Sequence, residues 1–284
     1  MAQQWLPPIL LPYAKAIATP FRRIDPRRLA LRGAFQSLNK DAAANELMLR
    51  KNLRVAIHPD SRAPFEMFCW RSQEMVEEMD AFLAFTQGKE RLLDVGALHG
   101  VFSLAFAAHS VSRRSVAVDP SPLAFAKLLY NVHTNKFADR VIPVECALSD
   151  ASGTISMYYE WEHAVAAPLT PDGEVATTVE KITGDALCER LGFVPDVIKI
   201  DVEGHEAKVI RGLAATIHQG KPLLFLEMHP QRIKRENDSL DDLLDFMEQE
   251  GYQARNSFSV VQFQDLRATE VDTRAIFEVR PVNT

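Results

Sequence analysis

Disulfide chemistry has little to work with in this sequence. Its three cysteines, Cys69, Cys146 and Cys188, are odd in number, widely spaced and never paired as C-x-x-C. That excludes a disulfide frame or a cysteine zinc site and fits reduced thiols in a cytoplasmic protein. Basic runs are scarce too, and a net charge of −6 argues against nucleic acid as a partner. Long uninterrupted apolar runs are missing. Trp5 to Ala18 is apolar, but Pro7, Pro8 and Pro12 break it and no basic region precedes it. Neither a signal peptide nor a spanning helix is expected there. Behind it Arg22, Arg23, Arg27, Arg28 and Arg32 face only Asp25. This reads as a solvated arm packing on its own domain or on a second subunit, a route to a homo-oligomer, rather than as a foot on an anionic membrane. Repeats and low-complexity tracts are absent. What remains is a chain of 284 residues, 47% hydrophobic, which suffices for one substantial core plus an accessory segment.

The stretch Arg91–Ser103, RLLDVGALHGVFS, organises the rest. Leu92, Leu93 and Val95 surround Asp94, and Gly96 and Gly100 then open an amphipathic run. The pattern predicts a buried strand, a tight turn and a helix start. Glycine lets a ligand approach the backbone, and the helix start offers free N–H groups to a carboxylate or phosphate. Asp94 beside the turn argues against a pyrophosphate and for a ligand with a cationic part, such as S-adenosylmethionine. After a helix over Val101–His109 comes a second strand, Ser115–Val118, ending in Asp119, nineteen residues beyond Gly100. An acidic residue at about that distance holds ribose hydroxyls in Rossmann-like folds. Pro120-Ser121-Pro122 then starts a helix whose Phe125, Leu128, Leu129 and Val132 form one stripe.

Residues 1–88 read as an N-terminal arm and accessory cap, and residues 89–284 as the main domain. In the cap, residues 35–51 are expected to be helical, Leu53–His58 and Phe65–Trp70 to be short strands, and Ser72–Phe85 to be a helix with Met75, Val76, Met79, Phe82 and Leu83 on one stripe. Met75 and Met79 read as core filler. Beyond the second helix the sequence predicts strands at Arg140–Val144, Asp196–Ile200 and Leu223–Leu226, with a small extension from Gly153–Tyr159 and Glu174–Ile182. Between those two, Glu160–Gly173 reads as a loop, either a lid over the acceptor anchored by Trp161 or a plain surface excursion. Ser239 caps a helix facing inward through Leu240, Leu243, Leu244 and Met247, and Tyr252–Phe263 and Arg274–Arg280 close as strands, the last antiparallel. Alternating βα units imply an α/β fold with a mostly parallel sheet covered on both faces.

DVGALHGVFS, VAVDPSPLAFAKLLYNVHTN, ALSDASG, DVIKIDVEGHEAKVIRG and LEMHP occur in this order over roughly residues 90–230. Together they resemble the FkbM-type S-adenosylmethionine-dependent methyltransferases. The resemblance implies a class I methyltransferase fold, a Rossmann-like seven-stranded sheet with one antiparallel strand, and O-methylation of a hydroxyl on a sugar, polyketide or other small molecule. One departure is visible: Leu98-His99 stands where the family usually has Asn and an aliphatic residue. Residues 1–60 gain nothing from the resemblance.

Carried over by position, Asp94, Gly96, Ala97, His99 and Gly100 form the cofactor loop, Asp119 and Pro120 meet the ribose, and Ala147 and Leu148 lie against the adenine. Asp201 orients acceptor or methionine, and His205, Glu227 or His229 takes the proton. Carboxylates suit Mg²⁺ or Mn²⁺, but two histidines do not favour Mg²⁺, so a general base is preferred to a metal. Two rivals stand outside this class. A nicotinamide oxidoreductase shares the βα logic, yet G-x-G-x-x-G is missing because position 98 is Leu98. A non-catalytic cofactor-binding partner protein would not need so many ionisable groups at its strand ends.

Overall fold

Strand residues alternate between two buried faces, and that alternation builds the three layers of the molecule. Leu92, Ala117, Val197 and Phe225 face one side; Leu93, Val95, Ile198, Ile200, Leu224 and Leu226 face the other, and both sides are covered. The computed structural model describes residues 46–50, 53–160, 163–166, 177–257 and 259–281.

The described chain opens with a hairpin, β1 (Glu46–Arg50) and β2 (Leu53–Ala56), and two helices, α1 (Arg62–Glu66) and α2 (Gln73–Phe85). Next come β3 (Arg91–Val95), α3 (Val101–His109), β4 (Arg114–Val118), α4 (Pro122–Thr134) and β5 (Val141–Val144). A second, smaller sheet follows, from β6 (Ala147–Leu148), β7 (Gly153–Glu160), β8 (His163–Ala166) and β9 (Thr177–Ile182). Helix α5 (Gly184–Leu191) leads into β10 (Val197–Ile200), α6 (Glu206–Gly212), α7 (Ala214–Gly220), β11 (Leu223–Met228), α8 (Pro230–Arg235) and α9 (Leu240–Gln249). The closing elements are β12 (Tyr252–Arg255), β13 (Val260–Val261), α10 (Phe263–Arg267) and β14 (Thr273–Val279).

The main sheet has the order β13-β12-β14-β11-β10-β3-β4-β5. Strands β11, β10, β3, β4 and β5 are mutually parallel, and β14 runs antiparallel between β11 and β12. Seven strands with one reversed match the expected class I methyltransferase sheet, and the two-residue β13 adds an eighth. Strand order reverses at β3, so the crevice beyond the carboxyl ends of β3, β4 and β10 is where such a sheet binds ligands.

The accessory segment shares a core with the sheet. Phe82 of α2 is fully buried and meets Phe102 and Phe225 edge-on, at 5.0 and 5.2 Å between ring centroids. Asn131 of α4 ties the segment down: its Oδ1 accepts from His58 N–H at 2.6 Å, and its Nδ2 donates to Ser61 Oγ and the His99 carbonyl.

Four local expectations change. Residues 46–50 are a strand rather than part of a helix, because Leu47 and Leu49 alternate inward against β2; residues 1–45 lie outside the described part. Phe65–Trp70 is helical, not extended: α1 and a wider turn over Met67–Arg71 bury Phe65 and set Phe68 against Phe102. Aromatic β-propensity yields there to packing. Tyr252–Phe263 is not one strand. Asn256 accepts from Ser259 N–H and turns the chain into the short β13, and Phe263 already starts a helix. Finally, Glu160 pairs with His163, so the expected loop is a hairpin at its start; Trp161 and residues 167–176 lie outside the described part.

Candidate functional site

The turn after β3 forms as the glycines demand. Gly96 has φ of +77°, and a Cβ there would stand 1.7 Å from the Asp201 carbonyl oxygen. Only glycine lets the two loops meet so closely. Gly96 and Ala97 donate their N–H groups to the Val118 carbonyl, and Gly100 begins α3 at φ of +85° with Leu128 against its open side. Leu98 takes a left-handed φ of 48° and donates its N–H to Asp119 Oδ2 at 2.7 Å. Asp119 Oδ1 accepts from Ser121 N–H at 2.8 Å, and burial pushes its carboxyl up to about 7 against those two bonds.

These pieces line a cleft of ≈ 80 Å³, with Gly96, Leu98, Asp119 and Pro120, an apolar set of Val118, Cys146, Ala147, Leu148 and Met157, and Asp201, Val202, Glu203 and His205 around it. Of the sequence-named cofactor residues, Gly96, Asp119, Pro120, Ala147, Leu148 and Asp201 therefore face it. Asp94, Ala97, His99 and Gly100 build the turn without lining it. Asp94 Oδ2 is taken by the N–H and hydroxyl of Ser103, and its Oδ1 is buried with no hydrogen-bond partner among the described residues. Val118, Cys146, Met157 and Val202 were not named for the site by sequence, and Leu98 only as a departure from the family pattern. Met157 arrives from the inserted sheet, which no local signal ties to this cleft.

The ionisable groups after β10 and β11 form two connected clusters. Asp201 pairs with the buried Lys199 at 3.0 Å. Burial opposes ionisation of Asp201, but the ammonium outweighs it and holds the carboxyl below its ordinary range. Single ligand-type atoms of Asp201, Glu203 and His229 all lie within 4.8 Å of one another. His229 Nδ1 is 2.8 Å from Glu206 Oε1, and its Nε2 is 3.5 Å from Glu203, whose carboxylate also pairs with Arg232. Burial works against the charged imidazole, and the Glu206 carboxylate overcomes it, raising His229 above the ordinary histidine value. Glu203 adopts φ of 56° in the turn, so it does not continue the alternation from Asp201, and His229 has become the N-cap position of α8. His205 faces the other way, its Nε2 3.0 Å from Ser149 Oγ and its Nδ1 3.7 Å from Glu236.

Glu227 points to the face carrying α2. Arg274 grips it through Nε at 3.1 Å and Nη2 at 2.6 Å, and also pairs with Glu74 and Glu78. Burial, reinforced by Asp201, raises Glu227, and burial pushes Glu78 up to about 7. Glu78, Lys199, Glu206 and Arg274 are the members sequence reasoning missed. Lys199 was readable in principle, since it sits two positions before Asp201 in a strand and so shares its side.

A sequence model of the methyltransferase FkbM domain matches residues 94–254. The chain belongs to the FkbM methyltransferase domain family. A hexuronic acid methyltransferase of Haloferax volcanii is 30% identical over 171 residues, covering 56% of this chain and 66% of that relative, so the match spans just under two thirds of its length. Among solved structures, the FkbM methyltransferase of Methylobacillus flagellatus superposes with a TM-score of 0.45 at 16% identity, over 88% of this chain and 59% of that one. An O-methyltransferase from Bacillus cereus in complex with SAH gives 0.39 at 12% identity, over 99% and 100% of the two chains.

Proposed function

We propose that this chain is an S-adenosylmethionine-dependent methyltransferase that O-methylates a hydroxyl of a sugar-class small molecule. The observation carrying the reading is the cleft at the switch point, where the Gly96 turn, Asp119 and an apolar wall converge beside an ionisable cluster. The family membership and the sugar named for the relative support it.

The residues fit the cofactor. Gly96 lines the cleft and lets the β3 and β10 loops close together beside it, Asp119 supplies an acceptor for ribose hydroxyls, and Ala147, Leu148 and Met157 offer an apolar surface for a base. When bound, the cofactor supplies an electrophilic methyl on a sulfonium. Its transfer to an acceptor hydroxyl would leave the sulfur neutral and release the hydroxyl proton, which the protein must take up. His229 is the group suited to take that proton. Glu206 holds Nδ1–H, which leaves the Nε2 lone pair on the Asp201 side. Glu206 is then a positioning residue, and Asp201 stays ionised beside Lys199.

Asp201, Glu203 and His229 also have the make-up of a divalent-ion site. Lys199 and Arg232 already neutralise its two carboxylates, and Glu206 favours the protonated imidazole, so an ion would have to displace all three arrangements. We read a metal-free base. Transfer of label from methyl-labelled S-adenosylmethionine to a hydroxylated sugar tests this. The expected result is an O-methyl product formed equally with and without EDTA; chelator-sensitive turnover overturns the metal-free reading, and absence of transfer overturns the activity.

A further inference from the structure

A second cavity, of ≈ 330 Å³, lies between α2 and the β11–β14 edge of the sheet. It is larger than the cofactor cleft and adjoins it at a single ion pair. Lys199 lines the cavity, Asp201 lines the cleft, and the two touch at 3.0 Å. Its floor is apolar, with Ala81, Phe225 and Ile276, as a pocket for the carbon face of a sugar requires.

The charge of this cavity is the informative feature. Five carboxylates, Glu74, Glu77, Glu78, Glu227 and Asp272, face only two cations, Lys199 and Arg274. Both cations are engaged: Arg274 holds Glu74, Glu78 and Glu227, and Lys199 holds Asp201. Glu77 and Asp272 enter no ion pair among the described residues; Glu77 accepts only a neutral hydrogen bond from Gln73 Nε2, at 2.7 Å. An anionic acceptor would find no cation to receive it and an excess of like charge, whereas a protonated amine would meet carboxylates still lacking a counter-charge.

We infer that this cavity is the acceptor site and that it selects an amine-bearing polyol, of the amino-sugar class, against a uronic acid. The inference rests on the activity proposed above and narrows its substrate class, in a direction opposite to the acid named for the Haloferax relative.

The test is equilibrium binding of two probes, glucosamine and glucuronate, to the full chain saturated with S-adenosylhomocysteine, followed by labelled methyl transfer to both. Glucosamine is expected to bind at least tenfold more tightly. The double variant Glu77→Gln with Asp272→Asn should shrink that gap to under threefold, with S-adenosylhomocysteine affinity serving as the check on folding. Glucuronate binding as well as glucosamine, no binding of either, or a gap unmoved by the double variant each overturns the inference. Methyl transfer separates the two claims. Methylation of glucuronate without amine preference sinks the selectivity alone, and amine-selective binding with no transfer to any acceptor sinks the activity alone.

Discussion

Replacing Gly96 by alanine perturbs both the fold and the cofactor cleft, and the size of the effect follows from two geometric features. The first is φ of +77°, which an alanine occupies at a cost of about 1–2 kcal/mol. The second is the space. The new methyl would stand 1.7 Å from the Asp201 carbonyl oxygen and 2.8 Å from its carbon, where ordinary contact begins at 3.4 Å. Backbone cannot rotate away as a side-chain tip does, so the β3 and β10 loops must part, adding roughly 1–3 kcal/mol of overpacking strain. A total loss near about 3 kcal/mol is expected, or roughly 6–12 °C in Tm for a chain of this size class. Gly192→Ala is the matched control. It has φ of +60° but nothing within 4 Å of the added methyl, so only the conformational cost of about 1 kcal/mol applies. Thermal unfolding measures both, and calorimetric titration with S-adenosylhomocysteine should show affinity falling more than about tenfold for the first variant only. Equal losses for the two variants would refute the reasoning, because they would mean that the loops need no contact at Gly96.

Asp119→Asn is expected to weaken S-adenosylhomocysteine binding by more than about 1.5 kcal/mol. Because the folded carboxyl sits at about 7, wild-type affinity should climb between pH 6 and pH 8 while the variant stays flat; a flat wild-type profile removes Asp119 from ribose binding. The same raised value means the folded state holds the extra proton, so this group's contribution to stability declines as pH rises from about 4 to about 7. The methyl-transfer rate should rise with pH through a midpoint above 6.5, the ordinary histidine value, and Glu206→Gln should bring that midpoint down, since burial of His229 is then opposed only by the weaker influence of Asp201 and Glu227; an unmoved profile dismisses the His229–Glu206 pair. The stabilisation from that pair is present below the ordinary histidine value and fades as pH passes the raised one. Phe82→Ala should cost about 3–5 kcal/mol in chemical denaturation, as a fully buried ring between Phe102 and Phe225 is lost; a change under about 1 kcal/mol would mean that α2 is not docked on the sheet.

Much of the fold was legible because βα units declare themselves locally. The Arg91–Val95 strand, the helix from Val101 and the Ser121 and Ser239 caps all follow from periodicity and turn chemistry. Phe65–Trp70 misled because its aromatic content favours a strand, whereas its partners Phe102 and Arg50 come from other elements of the chain. The cofactor turn was legible through its glycines and Asp119. The second cavity was not, since Glu78 and Arg274 are 196 positions apart and meet only when β14 inserts antiparallel beside β11. His229 was legible as a strand-end residue but its partner Glu206 was not; the two are brought together across the positive-φ turn at Glu203, which no sequence pattern announced.

Single-turnover transfer from methyl-labelled S-adenosylmethionine to a hydroxylated amino sugar, comparing the wild-type chain with His229→Ala, tests the central claim most directly. The account predicts label in an O-methyl group for the wild type and a rate at least about 100-fold lower for the variant, the scale of a lost general base. S-adenosylhomocysteine affinity should match in the two proteins. Wild-type rates in His229→Ala, or label recovered only on nitrogen, would contradict it.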